Sequence, residues 1–393
     1  MKPQSSASNP DLQSSLSALD RSLQSSISKP RYDVLDGLRG VAALMVLVFH
    51  VFDACSENII PHGYLAVDMF FVLSGFVIGY SYDSRWAEGL TVGRFFRRRL
   101  IRLHPMVLVG ALIGTAAFLI QGSVGWDGTP VSFGRVMLAM CCTMLMIPAL
   151  PGTAVEVRGF GEFFPLNGPF WSLFYEYIGN ILYALLLRRL STRLLTVVSA
   201  STGLCVAYAA ITNGYLGFGW GAADGGWWFG FVRMLFPYTV GMIMARNFRP
   251  MKGMKHAFLW CSLTILLVGF LPVSGGESAA WVSGLYDFLC VALVFPTLVW
   301  MGASDGEATV STRKFCLSMG ELSYPLYTIH YPFMSLFFAY MGFDGNLLDK
   351  QTVGQHWPIA VGLVVACPLL AWLLLKFYEK PVRRRLSHMK KDR

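Results

Sequence analysis

Three ionisable side chains interrupt the first long apolar run, LDGLRGVAALMVLVFH: Asp36, Arg39 and His50. An Asp or Arg in mid-bilayer costs roughly 2.5 to 3.5 kcal/mol on insertion scales, so a retained one implies a partner or a task. Arg39 and His50 are eleven positions apart. On a helix that returns them to within about 20° of one face and separates them by about 16 Å along the axis. Asp36, three residues before Arg39, shares the face. The spacing therefore predicts one polar stripe running from the start of the helix toward its end, with a histidine at the far end that can serve as general base or nucleophile. Anchoring at the helix ends plus one hydrogen-bonded core histidine is the plainer alternative.

Further groups are candidates for the same chemistry. Asp68, in GYLAVDMFFVLSGF, lies just inside the second apolar run, while His50 lies just before the end of the first. In an antiparallel hairpin these depths match, so Asp68 is expected to orient the His50 imidazole as the carboxylate of a triad does. RFFRRRLIRLHP follows the second run and carries Arg97, Arg98, Arg99, Arg102 and His104. Arginines in such a loop can set topology alone, but two or three suffice for that; a dense guanidinium fork also recognises phosphate well. Glu176, in NGPFWSLFYEY, is expected near the outer part of its helix, and His330, in LSYPLYTIHYPF, near the middle of its own. His330 is a packing group or a catalytic one on equal terms. Arg233 and Asp287 are expected to be paired.

The elements that must hold these groups are membrane helices. The 393-residue chain is 54% hydrophobic and 14% charged, against about 25% charged in a soluble domain, and it carries 39 Gly, 11 Trp and 16 Tyr. Its apolar runs approach the ~20 residues that cross a bilayer. A soluble nucleic-acid binder, a secreted disulfide scaffold and a disordered tail are excluded. The eight cysteines show no metal or disulfide spacing, and no metal is expected. Residues 1–30, rich in Ser and Gln, read as a flexible cytoplasmic arm, and 386–393 as a basic tail.

Eleven apolar segments follow the arm, and the net charge of +9 is clustered between them. The clusters lie at Arg94–Arg102, Arg188–Arg193, Arg246–Lys255 and beyond Lys376. Placing every cluster inside requires ten crossings, with 134–150 as a re-entrant or interfacial piece. The expected fold is an all-α polytopic bundle of about ten transmembrane helices plus that piece, both termini cytoplasmic.

The ordered set LDGLRGVAAL through His50, GYLAVDMFFVLSGF, RFFRRRLIRLHP, FWSLFYEY, LSYPLYTIHYP and YEKPVRR resembles the acyltransferase family 3, membrane enzymes that O-acylate glycans, lipids or small molecules. The resemblance spans 31–385. The family's arginine, ten residues, then histidine falls on Arg39 and His50, and its arginine pair two residues apart falls on Arg99 and Arg102. It implies a ten-helix core in the inner cell membrane and acyl transfer, usually acetyl, from cytoplasmic acyl-CoA to a hydroxyl, for instance of an envelope glycan. No permanently bound cofactor is expected. On that implication Asp36, Arg39, Arg98, Arg99 and Arg102 receive acyl-CoA, and His50, Asp68, Glu176 and His330 serve catalysis, by direct transfer or through an acyl-histidine. Family members with an extra esterase-like domain differ from this chain, for which a second step would need another protein. A polytopic exporter of an anionic or acylated small molecule would also need a charged stripe, though not an arginine fork for CoA; a structural subunit would need neither.

Overall fold

The computed structural model describes residues 31–388 except 54, 56, 58, 223–225, 252–253, 273–278, 305–307 and 343–351. The chain divides into two units, Met1–Tyr32 and Asp33–Arg393, and the fold is that of the second. The arm expected over 1–30 lies outside the described residues, as do residues 389–393 of the expected tail.

The second unit is all-α, with no named strand among the described residues. Its helices are α1 (Asp33–Phe52), α2 (Ala66–Ala87), α3 (Val92–Ile120), α4 (Phe133–Met144), α5 (Phe170–Leu185), α6 (Thr192–Asn213), α7 (Gly226–Asn247), α8 (Ala257–Phe270), α9 (Ala280–Leu289), α10 (Phe295–Ser304), α11 (Val310–Tyr340), α12 (Trp357–Leu374) and α13 (Lys380–His388). The π-helical turns Cys290–Val294 and Leu375–Glu379 join α9 to α10 and α12 to α13 without breaking the rod. Side-chain caps fix several starts: Thr91, Ser191 and Thr309 accept from the N–H three residues on, of Arg94, Leu194 and Thr312.

Among the described residues eight helical stretches are long and apolar enough to cross a bilayer, and many large apolar side chains point outward, as on Ile120, Leu204 and Trp228. A soluble fold would bury such groups; here lipid is their solvent. The chain is a multi-pass membrane protein. The segment around 134–150 forms only the 12-residue α4. That is about 18 Å of helix against an apolar bilayer core of about 30 Å, in keeping with a piece that does not cross.

Small residues set the closest approaches. A Cβ on Gly75 would strike the Tyr238 carbonyl oxygen, and one on Gly241 that of Val72, so α2 and α7 meet backbone to backbone. Gly40 against Met319 and Gly320 against Asp36 bring α1 equally near α11. These two contacts fix the faces of α1, α2 and α11 that line the site.

The chain on either side of α4, between α3 and α5, is irregular yet tied down. Arg158, 1% exposed, donates to the Pro165 carbonyl at 2.7 Å and to Gln121 Oε1 at 2.8 Å, and its guanidinium lies over Phe118 and Trp126. Glu156 Oε1 accepts from the N–H groups of Gly159, Phe160 and Gly161. The Glu162 backbone bridges to Gly221. This cap carries Trp126, Phe160 and Glu162 to the end of α1 where His50 sits.

Candidate active site

Two cavities follow the polar stripe of α1. Asp36 and Arg39, near the helix start, form an ion pair at 3.2 Å, and Arg39 faces a cavity of about 260 Å³. Arg85, Arg99 and Arg102 also line it. Arg99 and Arg102, three apart on α3, share a face. Arg99 Nη2 donates to Glu176 Oε1 at 2.6 Å, and Ser74 donates to the same oxygen at 3.4 Å. The Arg99 Nε has no hydrogen-bond partner among the described residues. Four guanidinium groups held around one hollow, one of them with an unused N–H, can take a polyanion through charge-assisted hydrogen bonds. Arg98 is exposed and does not line this cavity. Glu176, expected toward the outer part of its helix, lies nearer the Phe170 end of α5 and accepts there from Arg99 at the wall of the arginine cavity.

His50, near the end of α1, lines a second cavity of about 340 Å³ with Asp53, Trp126, Phe160, Glu162 and Tyr331. Its ring stacks on His330, 5.3 Å between centroids and 29° between planes, and meets the Tyr331 ring edge-on at 5.1 Å. His50 Nδ1 is buried without a hydrogen-bond partner among the described residues, and the nearest carboxylate oxygen of Asp53 lies at 3.9 Å. His330 Nδ1 is 3.1 Å and 3.0 Å from the carbonyl oxygens of Leu326 and Tyr327. Both neighbours can only accept, so that nitrogen carries the proton and Nε2 keeps its lone pair. His330 is packed against the histidine that opens onto the cavity and does not itself line it.

The expected pairing of Asp68 with His50 does not occur. Both carboxylate oxygens of Asp68 accept from Arg233, at 2.9 and 2.7 Å, and the guanidinium also donates to the carbonyls of Phe218 and Tyr64 and lies over Trp171. Equal depth along a hairpin says nothing about the direction in which a side chain leaves its helix, and α2 turns Asp68 toward α7. Asp287 is paired too, accepting from Tyr64 at 2.5 Å and from the Leu216 N–H at 2.9 Å, with His62 Nδ1 at 2.8 Å.

Two features were not found from the sequence. Glu162, 6% exposed, lines the histidine cavity; Tyr331 donates to its Oε1 at 3.3 Å, and its Oε2 has no hydrogen-bond partner among the described residues. Burial pushes its carboxyl up to about 7, against the pull of Arg158 and of the Tyr331 hydroxyl. The other is Tyr327, which with Val67 lines both cavities. The spacing of Tyr324, Tyr327 and Tyr331, three and four apart along one face of α11, was the available signal.

Comparison with known proteins shows the family of the chain. The sequence profile of the family 3 acyltransferase domain matches residues 32–376. "Protein 2 in picA locus" of Rhizobium radiobacter is 33% identical over 188 residues, 46% of this chain and 95% of that protein. The acyltransferase MdmB of Streptomyces mycarofaciens is 24% identical over 384 residues, 91% of this chain and 93% of its own length. A Staphylococcus aureus protein named "Putative O-acetyltransferase" is 24% identical over 377 residues, 89% of this chain but 57% of that protein. No solved structure matches.

Proposed function

Since the chain belongs to the family 3 acyltransferases, we propose that it moves an acyl group, acetyl by preference, from acyl-CoA to a hydroxyl of a glycan, a lipid-linked sugar or a small molecule. The observation that carries this reading is the pair of cavities at opposite ends of α1, one ringed by arginines and the other holding a histidine with an unpartnered nitrogen. Arg39, Arg99 and Arg102 hold the phosphates of the donor, and the pantetheine arm lies along the stripe toward His50. Positive-inside bias puts the arginine cavity on the cytoplasmic side of the inner membrane, where acyl-CoA is found, and leaves the histidine cavity to an acceptor from the other side.

The acceptor hydroxyl gives its proton to His50 as its oxygen attacks the thioester carbonyl carbon. The C–O bond forms, the C–S bond breaks, and the proton on His50 passes to the departing thiolate, which leaves as CoA thiol. The aromatic walls of the histidine cavity suit the apolar faces of a sugar ring, and Glu162 can accept a second hydroxyl. Glu176 holds Arg99, and Asp68 holds Arg233; neither needs to touch the reacting atoms.

Radiolabelled acetyl-CoA given to the purified protein in detergent tests this. Expected is release of CoA thiol, with acetate or acetylated acceptor as the product, lost in His50→Ala. Neither thiol release nor saturable acetyl-CoA binding in the parent protein would overturn it.

A further inference from the structure

The two cavities have only Val67 and Tyr327 in common among the residues that line them. Tyr327, 5% exposed on α11, is held in place by its hydroxyl: the oxygen is 2.5 Å from Ser172 Oγ and 3.0 Å from the Pro169 carbonyl. Ser172 lines the arginine cavity and Pro169 the histidine cavity, so the hydroxyl is fastened at the boundary itself. Phe70 meets the Tyr327 ring edge-on at 5.8 Å from the arginine side. A ring pinned at its tip and braced on its side, at the boundary of two cavities, is placed to part them.

We propose that Tyr327 is a gate between the two cavities, latched by Ser172 and Pro169, and that the gap it opens beside Val67 selects the acyl group by its width. The proposal rests on the donor and acceptor reading above. An acyl group held in the arginine cavity must pass this partition to meet His50. Swinging the ring aside breaks two hydroxyl contacts and opens a gap beside Val67, the other residue common to both cavities, whose width then limits the acyl group that passes. The latch has a second consequence. Water reaching both the thioester and His50 would hydrolyse the donor, its oxygen forming the new C–O bond and the thiolate leaving as thiol, and a closed ring keeps the two apart.

Two measurements test the gate, one of them independent of the donor. In a background with Cys141, Cys142 and Cys205 replaced by Ser, Ser74→Cys places a thiol in the arginine cavity. A charged methanethiosulfonate reagent is applied in sided vesicles from the face that labels Tyr215→Cys, which lines the histidine cavity. Slow labelling in the parent is expected to become many-fold faster in Tyr327→Ala and several-fold faster in Val67→Ala. In the donor assay the parent is expected to release thiol from acetyl-CoA about tenfold or more faster than from isobutyryl-CoA, the usual worth of a misfit of methylene size. Tyr327→Ala and Val67→Ala should narrow that ratio, while Tyr327→Phe keeps the ratio and raises acceptor-free hydrolysis several-fold. Ser172 still reaches the Pro169 carbonyl at 3.0 Å in Tyr327→Phe, which leaves no new unpaired group to unfold it. Labelling unchanged in both cavity-opening variants would overturn the gate, and so would loss of all turnover in Tyr327→Phe, which would put the hydroxyl in the reaction itself. Faster labelling with no thiol release from any acyl-CoA would keep the gate and discard acyl-CoA as donor.

Discussion

The imidazoles of His50 and His330 lie nearly face to face, 5.3 Å apart, and each keeps a buried ring nitrogen without a hydrogen-bond partner among the described residues: Nδ1 of His50 and Nε2 of His330. Buried polar atoms are seldom left bare, and each exception has a cause such as a catalytic task or a bound water. Only His50 lines the cavity, so the two should differ when removed. His50→Ala is expected to lower acyl-CoA turnover by about a hundredfold or more, the usual worth of a general base, without changing donor affinity. His330→Phe keeps a ring in the stack and should retain measurable turnover. Equal loss in both, at unchanged binding, would make His330 the second catalytic group.

The arginines of α3 should separate by face. Arg99 and Arg102 line the cavity, whereas Arg98 is exposed away from it. Arg99→Ala is expected to weaken acyl-CoA binding roughly tenfold to a hundredfold, the cost of about 1.5 to 3 kcal/mol for one charged hydrogen bond. Arg99→Lys should rescue poorly, because an ammonium lacks the planar set of N–H groups that lets one side chain bond Glu176 and phosphate together. Arg98→Ala should bind donor normally in titration calorimetry. Equal effects of all three changes would reduce this face to a general positive field.

Asp68 and Arg233 form a buried, doubly hydrogen-bonded pair, and its rupture should appear as instability. Asp68→Ala leaves a guanidinium, 1% exposed, without its counter-charge. Breaking one side of such a pair costs about 3 to 5 kcal/mol. Thermal unfolding in mild detergent should show a large drop for Asp68→Ala, much of it recovered in the double variant Asp68→Leu/Arg233→Met, which removes both charges. The pH–rate profile of any folded Asp68→Asn should keep the parent midpoint, since the carboxylate does not reach His50.

The close approach of α2 and α7 gives a prediction of another kind. Gly75 and Gly241 each face backbone of the opposite helix, where a methyl group has no side chain to push aside. Gly75→Ala or Gly241→Ala must therefore part the two helices, and with them Asp68 from Arg233. Either variant is expected to lose most of its folded yield in fluorescence-detected size exclusion, while Gly93→Ala, which meets nothing, should behave as the parent.

What the sequence conveyed well is what repeats along one helix. The period of α1 put Asp36, Arg39 and His50 on one face, and of these Arg39 lines one cavity and His50 the other, while Asp36 lines neither and pairs with Arg39; the spacing of Arg99 and Arg102 likewise placed them together. What it could not convey is which helices meet. Asp68 finds its counter-ion 165 residues away on α7, a relation set by glycine contacts and invisible to hairpin depth. The contact of Glu176 with Arg99, 77 residues apart, is hidden for the same reason. The cap that carries Glu162 has no period at all: it is held by Arg158 and by Glu156 bonding to successive N–H groups, and neither leaves a spacing rule in GTAVEVRGFGEFFPLNGP.

Glu162 makes stability a probe of the histidine cavity without any substrate. Its carboxyl titrates near 7 in the folded protein, chiefly through burial, and near 4.5 when unfolded. Between those values the folded state holds a proton that the unfolded state has released, so stability falls as pH rises through the window and levels off above it. At about 1.4 kcal/mol per pKa unit the change is on the order of 3 kcal/mol. The neighbours that bear on it are Arg158, which favours the ionised form, Glu156, which opposes it, and Tyr331, whose hydroxyl donates to Oε1. Glu162→Gln keeps the shape and an acceptor for Tyr331 but does not titrate. Its melting temperature in mild detergent should therefore lie close to the parent's near pH 4.5 and rise above it by pH 8, the two curves parting between roughly pH 4.5 and 7. Curves that stay parallel across the window would mean that Arg158 keeps the carboxylate ionised throughout; Glu162 would then be a fixed charge facing His50 across the cavity.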